Sequence, residues 1–291
     1  MNNQDTSVAY NLYQPSCRQT SVVFASPHSG NAYPPAFLDE TVLDEQQIRS
    51  SEDAFVDQLF AAAPKFGAPM ITAVAPRAYI DLNRGPDELD PALVEGVRRV
   101  AHNPRIASGL GVVPRVVSNG RAIYRGKMTI EEAHARVTTY WRPYHDCLQM
   151  LLDQSRNDFG EAILIDCHSM PREALVNVRS SDGLRPEIVL GDRFGVSAAH
   201  HIVAAVEDAF VAAGFRVARN MPFAGAYIAQ HYGRPARQQH AIQVEIDRTL
   251  YMDEVNLCPH DGFDAFKSKL DSAIASIAAI GRPAEQQLAA E

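Results

Sequence analysis

The sequence predicts an α/β fold, on three observations. Residues 22–25 (Val22, Val23, Phe24, Ala25) and 163–165 (Ile163, Leu164, Ile165) are unbroken apolar runs of strand length, as expected of strands covered on both faces. Segments with helical apolar spacing lie between the strand-like runs. Both apolar runs end in polar groups, Ser26-Pro27-His28-Ser29-Gly30 and Asp166-Cys167-His168-Ser169, which a buried strand does not carry without a purpose. Ligands of open α/β sheets sit beyond the carboxyl ends of the strands, so His28 and His168 are where chemistry is expected.

The 291 residues suffice for one large α/β domain or two small ones. No repeat, low-complexity segment or linker divides them, so one domain over residues 1–291 is expected, with an irregular polar arm over 1–18 and a frayed tail over 282–291. Hydrophobic residues make up 46% and charged residues 21%, the balance of a soluble globular protein. The formal net charge of -8 speaks against non-specific nucleic-acid binding. Four cysteines without paired spacing fit a reduced, cytoplasmic compartment. The polar start begins no signal peptide, and no apolar run approaches the roughly 18–20 residues of a membrane span.

In chain order, the first strand covers residues 21–25. A loop over 28–35, rich in Gly, Pro and Asn, suits an active-site segment. Ser51 reads as the N-cap of a helix with Glu52 and Asp53 in its first turn and Phe55, Val56, Leu59 and Phe60 on its apolar face. A strand follows over 69–75. Ile80 and Leu82 alternate with Asp81 and Asn83, as in a strand with one wet face, and Arg84 closes it. Residues 87–125 read as a long excursion with short helices. Thr129 and Glu132 form a capping box that opens a helix to about residue 157, in which Tyr140, Trp141, Tyr144 and Leu148 are core and His134 and His145 structural.

The strand over 162–166 leads to His168, and residues 180–193 read as a loop. A helix over 197–213 ends at Gly214; its adjacent His200 and His201 point about 100° apart and are poorly placed to chelate one ion. A strand begins at 215–218. Residues 222–235, with Gly, aromatics, His231 and Arg234, have the composition of a substrate-facing loop. Over 241–248, Ile242, Val244 and Ile246 alternate with Gln243, Glu245 and Asp247; a carboxylate inside such a strand is costly unless it faces a polar cleft or a partner. A helix over 261–280 closes the chain.

These pieces fit one chemical plan. Catalytic zinc takes three ligands from His and carboxylate and keeps a position for water. His28 and His168 stand at strand ends, and Asp53 or Glu52 lies between them in sequence. Glu245 is the best candidate for a general base, and Arg84 with Asn83 for a clamp on a substrate carboxylate. Cys167 reads as packing, because a metal-ligating neighbour leaves no free base to activate it.

The motifs Ser26-Pro27-His28-Ser29-Gly30, Glu52-Asp53-Ala54-Phe55-Val56-Asp57, Tyr79-Ile80-Asp81-Leu82-Asn83-Arg84 and Asp166-Cys167-His168-Ser169, with the segment over 225–245, resemble the N-formylglutamate amidohydrolase family, in family order over about residues 20–255. The resemblance implies a three-layer αβα fold with a mixed, mainly parallel central sheet, similar to that of the zinc carboxypeptidases and aspartoacylases. It implies zinc, or another divalent metal, held by His28, Asp53 and His168, with Glu245 as general base and acid. It implies that Asn83 and Arg84 grip the substrate α-carboxylate and that Tyr227, with His231 beside it, closes over the substrate. The implied reaction is hydrolysis of N-formyl-L-glutamate to formate and L-glutamate, in histidine breakdown, with a small-molecule N-acyl amino acid as the partner and neither nucleic acid nor membrane.

Two departures stand out. The acidic ligand comes from a separate element, 53−28=25 residues after His28. Gln230 stands where family members acting on formylglutamate carry Arg before His-Tyr-Gly, so the second cation falls to Arg234, Arg77 or Arg125. The alternatives are a carboxypeptidase-like peptidase, an N-acyl amino acid deacylase, and a catalytically dead protein that binds an acidic amino acid. A binding module needs no general base, which favours an enzyme.

Overall fold

The structure, a computed structural model, describes residues 3–6, 8–98, 103–117, 120–180 and 182–283. Among these residues an eight-stranded sheet runs in the order β1-β2-β4-β3-β5-β8-β6-β7. Its strands are β1 (Asn3–Thr6), β2 (Tyr10–Gln14), β3 (Val22–Ser26), β4 (Met70–Ala73), β5 (Ala162–Met170), β6 (Ile188–Gly191), β7 (Val217–Arg219) and β8 (Gln239–Asp247). The central four, β4, β3, β5 and β8, are parallel. β2 joins β4, and β6 joins β8, antiparallel. The sheet is therefore mixed and parallel at its centre.

Helices cover both faces. On one, α3 (Val56–Leu59), α7 (His200–Ala212) and α9 (Phe263–Ile280) pack over Phe24, Ile165, Ile242 and Val244. On the other, α6 (Arg142–Phe159) and α8 (Tyr227–Tyr232) pack over Val23, Ala25, Leu164 and Ala241. β3 and β5 feed alternate residues into both layers, which is why their sequences are apolar without alternation. The result is a three-layer αβα arrangement.

Several local expectations are corrected. Residues 3–6 and 10–14 of the expected irregular arm are strands at the sheet edge, with Leu12 buried. Backbone pairing of β1 with β2 and of β2 with β4 holds them, so their polar composition gives little warning. Most of the expected tail, residues 284–291, lies outside the described residues. The helix expected from Ser51 is only the short α3, which starts at Val56 after Phe55 in a left-handed φ of 66°; a separate short helix, α2 (Glu45–Arg49), ends before Ser51. Asp53 therefore sits in a connection, not in a helical turn. Residues 80–84 form turns rather than a strand, and the expected loops over 180–193 and 222–235 contain β6 and α8.

The capping box at Thr129 and Glu132 forms and opens α5 (Ile130–Arg136). A π-helical turn over Val137–Trp141 separates it from α6. Pro143 lies at the start of α6 and has no N–H for the preceding turn, which accounts for the wider turn. That turn lets Trp141 donate from Nε1 to the Arg84 carbonyl at 2.9 Å. His145 bridges the Leu82 carbonyl (2.8 Å) and the Tyr232 hydroxyl (2.9 Å). Burial lowers its pKa to about 3, so it is a neutral brace on the turn over 82–84.

Candidate metal centre

The pairing of β5 with β8 decides where the site lies. They run together from Ala162 opposite Gln239 to Met170 opposite Asp247. Pairing of β3 with β5 ends at Ala25 opposite Asp166, so β5 and β8 continue past their neighbour. Leu164 and Ala241 are partners on the α6 face and belong to its core. Two residues further, the same face carries Asp166 and Gln243, then His168 and Glu245. One stripe is thus core at the start of the strands and a polar site at their ends. Cys167 points the other way, into the core beneath α7 and α9, where burial pushes its thiol well above the ordinary range.

His28 follows β3. Its carbonyl accepts the Asp53 N–H at 3.0 Å, which draws the connection between α2 and α3 over the strand end. Gly30 lets the loop after His28 pass close to the backbone that follows β4: a Cβ there would lie 2.2 Å from the Ala75 carbonyl oxygen. The His28 ring places Nδ1 3.4 Å from Asp53 Oδ2 and Nε2 2.7 Å from Asp81 Oδ1. His168 places Nδ1 2.9 Å from the same Asp53 oxygen, and its Nε2 faces Asp166 Oδ1 at 3.0 Å. Each imidazole thus turns one nitrogen toward a shared carboxylate and the other toward a carboxylate of its own. Arg248 Nη2 donates to Asp53 Oδ1 at 2.9 Å and fixes that side chain.

His28, Asp53 and His168 each offer a donor atom within 4.8 Å of the others, and all three residues are buried. His28 Nδ1 is buried without a hydrogen-bond partner. Such an orphaned atom is costly, and a cation shared with Asp53 and His168 would satisfy it. Two imidazoles and a carboxylate are also a donor set of catalytic zinc sites, with outward carboxylates holding the tautomers. The residues present can therefore hold a metal.

The electrostatics agree. Burial alone would raise the Asp53 carboxyl; the hydrogen bond from His168 and the closeness of both imidazoles outweigh it and hold the group well below its ordinary range. Burial alone would lower His168; Asp166 and Asp53 overcome it and raise the imidazole well above its ordinary range. Asp81 is held low against its own burial by Arg77, His28 and Arg84. A position where carboxylates stabilise a proton so strongly also favours a divalent cation. Glu245 behaves differently. Burial, with Asp53 nearby, pushes it up to about 7 against the opposing charges of His168, Arg77 and Arg248.

The other expected site residues fall in three places. Glu52 is turned away, accepting from Arg49 Nε at 3.1 Å and the Tyr33 hydroxyl at 2.5 Å. Asn83 sits between the cluster and α8: its Nδ2 is 3.1 Å from His168 Nε2, and its Oδ1 accepts the Ile228 N–H at 2.7 Å. Arg84 donates from Nε to the Leu110 carbonyl and from Nη1 to the Asn83 carbonyl, while lining a cavity of about 790 Å³ together with His28, Asp53, His168 and Glu245. Tyr227 and His231 stack on each other and line a second cavity of about 760 Å³. Of the candidate second cations, Arg77 lines the first cavity and donates to Asp81 at 3.1 Å, Arg234 lines the second, and Arg125 lines neither.

Asp81, Asp166, Gln243 and Arg248 were given no role by sequence reasoning. Period-two spacing back from His168 and Glu245 points to Asp166 and Gln243, whose Nε2 donates to Glu245 at 2.8 Å. The same spacing back from Asn83 points to Asp81; Arg248 carried no such signal.

Fold and site together define an α/β protein with a buried two-histidine, one-carboxylate cluster able to hold a metal at the carboxyl ends of its parallel strands. The chain belongs to the N-formylglutamate amidohydrolase family, whose sequence model matches residues 20–252. It is 30% identical over 237 residues to an N-formylglutamate deformylase of Pseudomonas aeruginosa, covering 80% of this chain and 82% of that one. It is likewise 30% identical over 236 residues to the Pseudomonas putida N-formylglutamate deformylase, with the same coverage. The crystal structure of N-formylglutamate amidohydrolase from Ralstonia eutropha superimposes with a TM-score of 0.87 at 33% identity, covering 94% of this chain and 99% of that one. A gene product of Agrobacterium tumefaciens shares the fold at a TM-score of 0.60 and 15% identity, over 94% and 96% of the two chains.

Proposed function

We propose that the protein hydrolyses the amide of N-formyl-L-glutamate to formate and L-glutamate, with zinc held by His28, Asp53 and His168. The observation that carries this reading is the convergence of those three side chains on the strand ends beside Glu245, the register partner of His168. When bound, the cation supplies Lewis-acid chemistry to the water and the formyl carbonyl.

The protein's own groups do the rest. Glu245, buried beside His168, accepts a proton from the attacking water and returns it to the amide nitrogen as the C–N bond breaks. Gln243 holds Glu245 Oε1 and leaves the other carboxylate oxygen for that exchange. Asp81 and Asp166 keep the imidazoles oriented. Arg84, braced by two backbone carbonyls, grips the substrate α-carboxylate, and Asn83 ties α8 to the cluster. Tyr227 and His231 border the approach from the second cavity. The substrate is a small molecule, and the cytoplasm is where such a metabolite would be met.

Formate release from a panel of N-formyl and N-acetyl amino acids by the zinc-loaded protein, alongside metal content, tests the reading. Formate from N-formyl-L-glutamate with one bound metal is expected. Hydrolysis without metal, or turnover unchanged in His168→Ala, would refute it.

A further inference from the structure

Five arginines line the main cavity: Arg77, Arg84, Arg105, Arg193 and Arg248. Three have work already. Arg77 pairs with Asp81, Arg248 with Asp53, and Arg84 is held by carbonyls with Asp81 at 3.9 Å. Arg193 differs. Among the described residues no carboxylate pairs with it; its guanidinium donates to the Gly225 carbonyl at 3.2 Å. It stands at the junction of the two cavities, lining both.

The backbone is bent to put it there. Arg193 and Phe194 have φ values of 53° and 57°, a left-handed conformation costly for side chains of this size. The bend is held from outside: Arg193 N–H donates to the Ala224 carbonyl at 2.7 Å, and Asn220 Oδ1 accepts from the N–H groups of Asp192 and Phe194. The opposing segment is cut to fit. Gly225 has a φ of 105°, and a Cβ there would stand 2.8 Å from Ala229 Cβ and 3.2 Å from Arg193 Cγ. Strain of this kind persists where surrounding structure enforces it, and it clusters at binding sites.

Resting on the hydrolysis proposed above, we propose that Arg193 binds the side-chain carboxylate of the substrate and decides for an acidic over a neutral N-formyl amino acid. The glutamate side chain carries its charge two methylenes beyond the α-carbon, so the cation that reads it must stand away from the group on the α-carboxylate. Arg193 stands where the main cavity meets the second, and among the described residues no carboxylate is ion-paired with it, although Asp87 and Glu88 line the second cavity. Arg105, exposed on α4 (Pro104–Ala107), lines the same junction and adds to its positive potential. Gln230 lines only the second cavity and brings no charge.

The test compares kcat/KM for N-formyl-L-glutamate and the near-isosteric N-formyl-L-glutamine in the zinc-loaded wild type, R193Q, R193K and R193G. The wild type should prefer the acid by about 10- to 100-fold, the range of a charge-assisted hydrogen bond. The preference should fall below about threefold in R193Q and R193G and survive in part in R193K. Glycine adopts a positive φ freely, so R193G should melt no lower than wild type, which separates loss of the guanidinium from loss of the fold. Retention of the wild-type preference in R193Q and R193G overturns the proposal. A wild type that releases formate from neither substrate refutes the hydrolysis reading instead. Calorimetric binding of L-glutamate and L-glutamine then reads the subsite directly. A preference for glutamate that R193G abolishes upholds the role of Arg193; equal preference in both proteins overturns it.

Discussion

Replacing Glu245 with Gln removes one proton acceptor and little else. The Gln243 Nε2 contact at 2.8 Å can be kept, because a glutamine carbonyl accepts as the carboxylate does. Glu245 is not among the three convergent donors, so metal content should not change. A general acid–base group contributes about 10²- to 10⁴-fold, so kcat should fall by that factor, about 3 to 5 kcal/mol of barrier. Formate release and metal content on the same sample check both statements. Activity within tenfold of wild type would remove Glu245 as the base; loss of metal would make it a ligand.

The same substitution has a second, opposite effect. The folded metal-free protein holds Glu245 at about 7 against an ordinary 4.5, so folding favours the protonated form. The stability linked to this proton is fully present below about 4.5 and is lost as pH rises through about 7, roughly 3 kcal/mol in all. Gln carries no such penalty. Metal-free Glu245→Gln should therefore melt several degrees above wild type at pH 8 and show no advantage at pH 4. For catalysis the base must be ionised, so kcat/KM of the wild type should rise with pH on its acid limb. A bound cation pulls that limb below 7.

Further predictions concern the support of the cluster and the core. Asp166→Asn should weaken metal affinity about 10- to 100-fold, with activity recovered at higher metal concentration; unchanged affinity would mean that Asp166 does not hold His168. Because Asp166 and Asp53 raise the His168 imidazole well above its ordinary range, metal binding should displace a proton there and tighten as pH rises. Calorimetry in two buffers of different ionisation enthalpy measures this, and pH-independent binding would contradict the charge balance described for the cluster. Ile274→Ala on α9 opens a cavity in the layer away from the site. It should cost about 2 to 5 kcal/mol in denaturant titration and leave metal stoichiometry intact.

Legibility followed the range of the interactions. β3, β5 and β8 were readable because burial on both faces writes itself into consecutive residues, and the His28 and His168 endings broke that pattern visibly. β1 and β6 were not, since edge or short strands are held by backbone pairing that leaves little trace in side-chain type. The turn over 80–84 imitates a strand because apolar Ile80 and Leu82 alternate with polar Asp81 and Asn83, yet all four are buried and the turn is held from outside by Trp141 and His145. Tyr227 and His231, grouped with the site by composition, line the neighbouring cavity.

The sequence by itself determined the α/β class, the two histidines at strand ends and the carboxylate on β8, because alternation and burial along one strand are local properties of the chain. Spacing alone left Glu52 and Asp53 open, two adjacent acids in one short segment, and the family resemblance favoured Asp53. The folded chain brings Asp53 to the two histidines. Phe55 in the left-handed region delays the helix to Val56, the His28 carbonyl captures the Asp53 N–H, and Arg248, 195 residues later, takes one oxygen of its carboxylate. Glu52 is drawn off by Arg49 and Tyr33. The choice rests on contacts between segments distant in sequence, and no local pattern records such contacts.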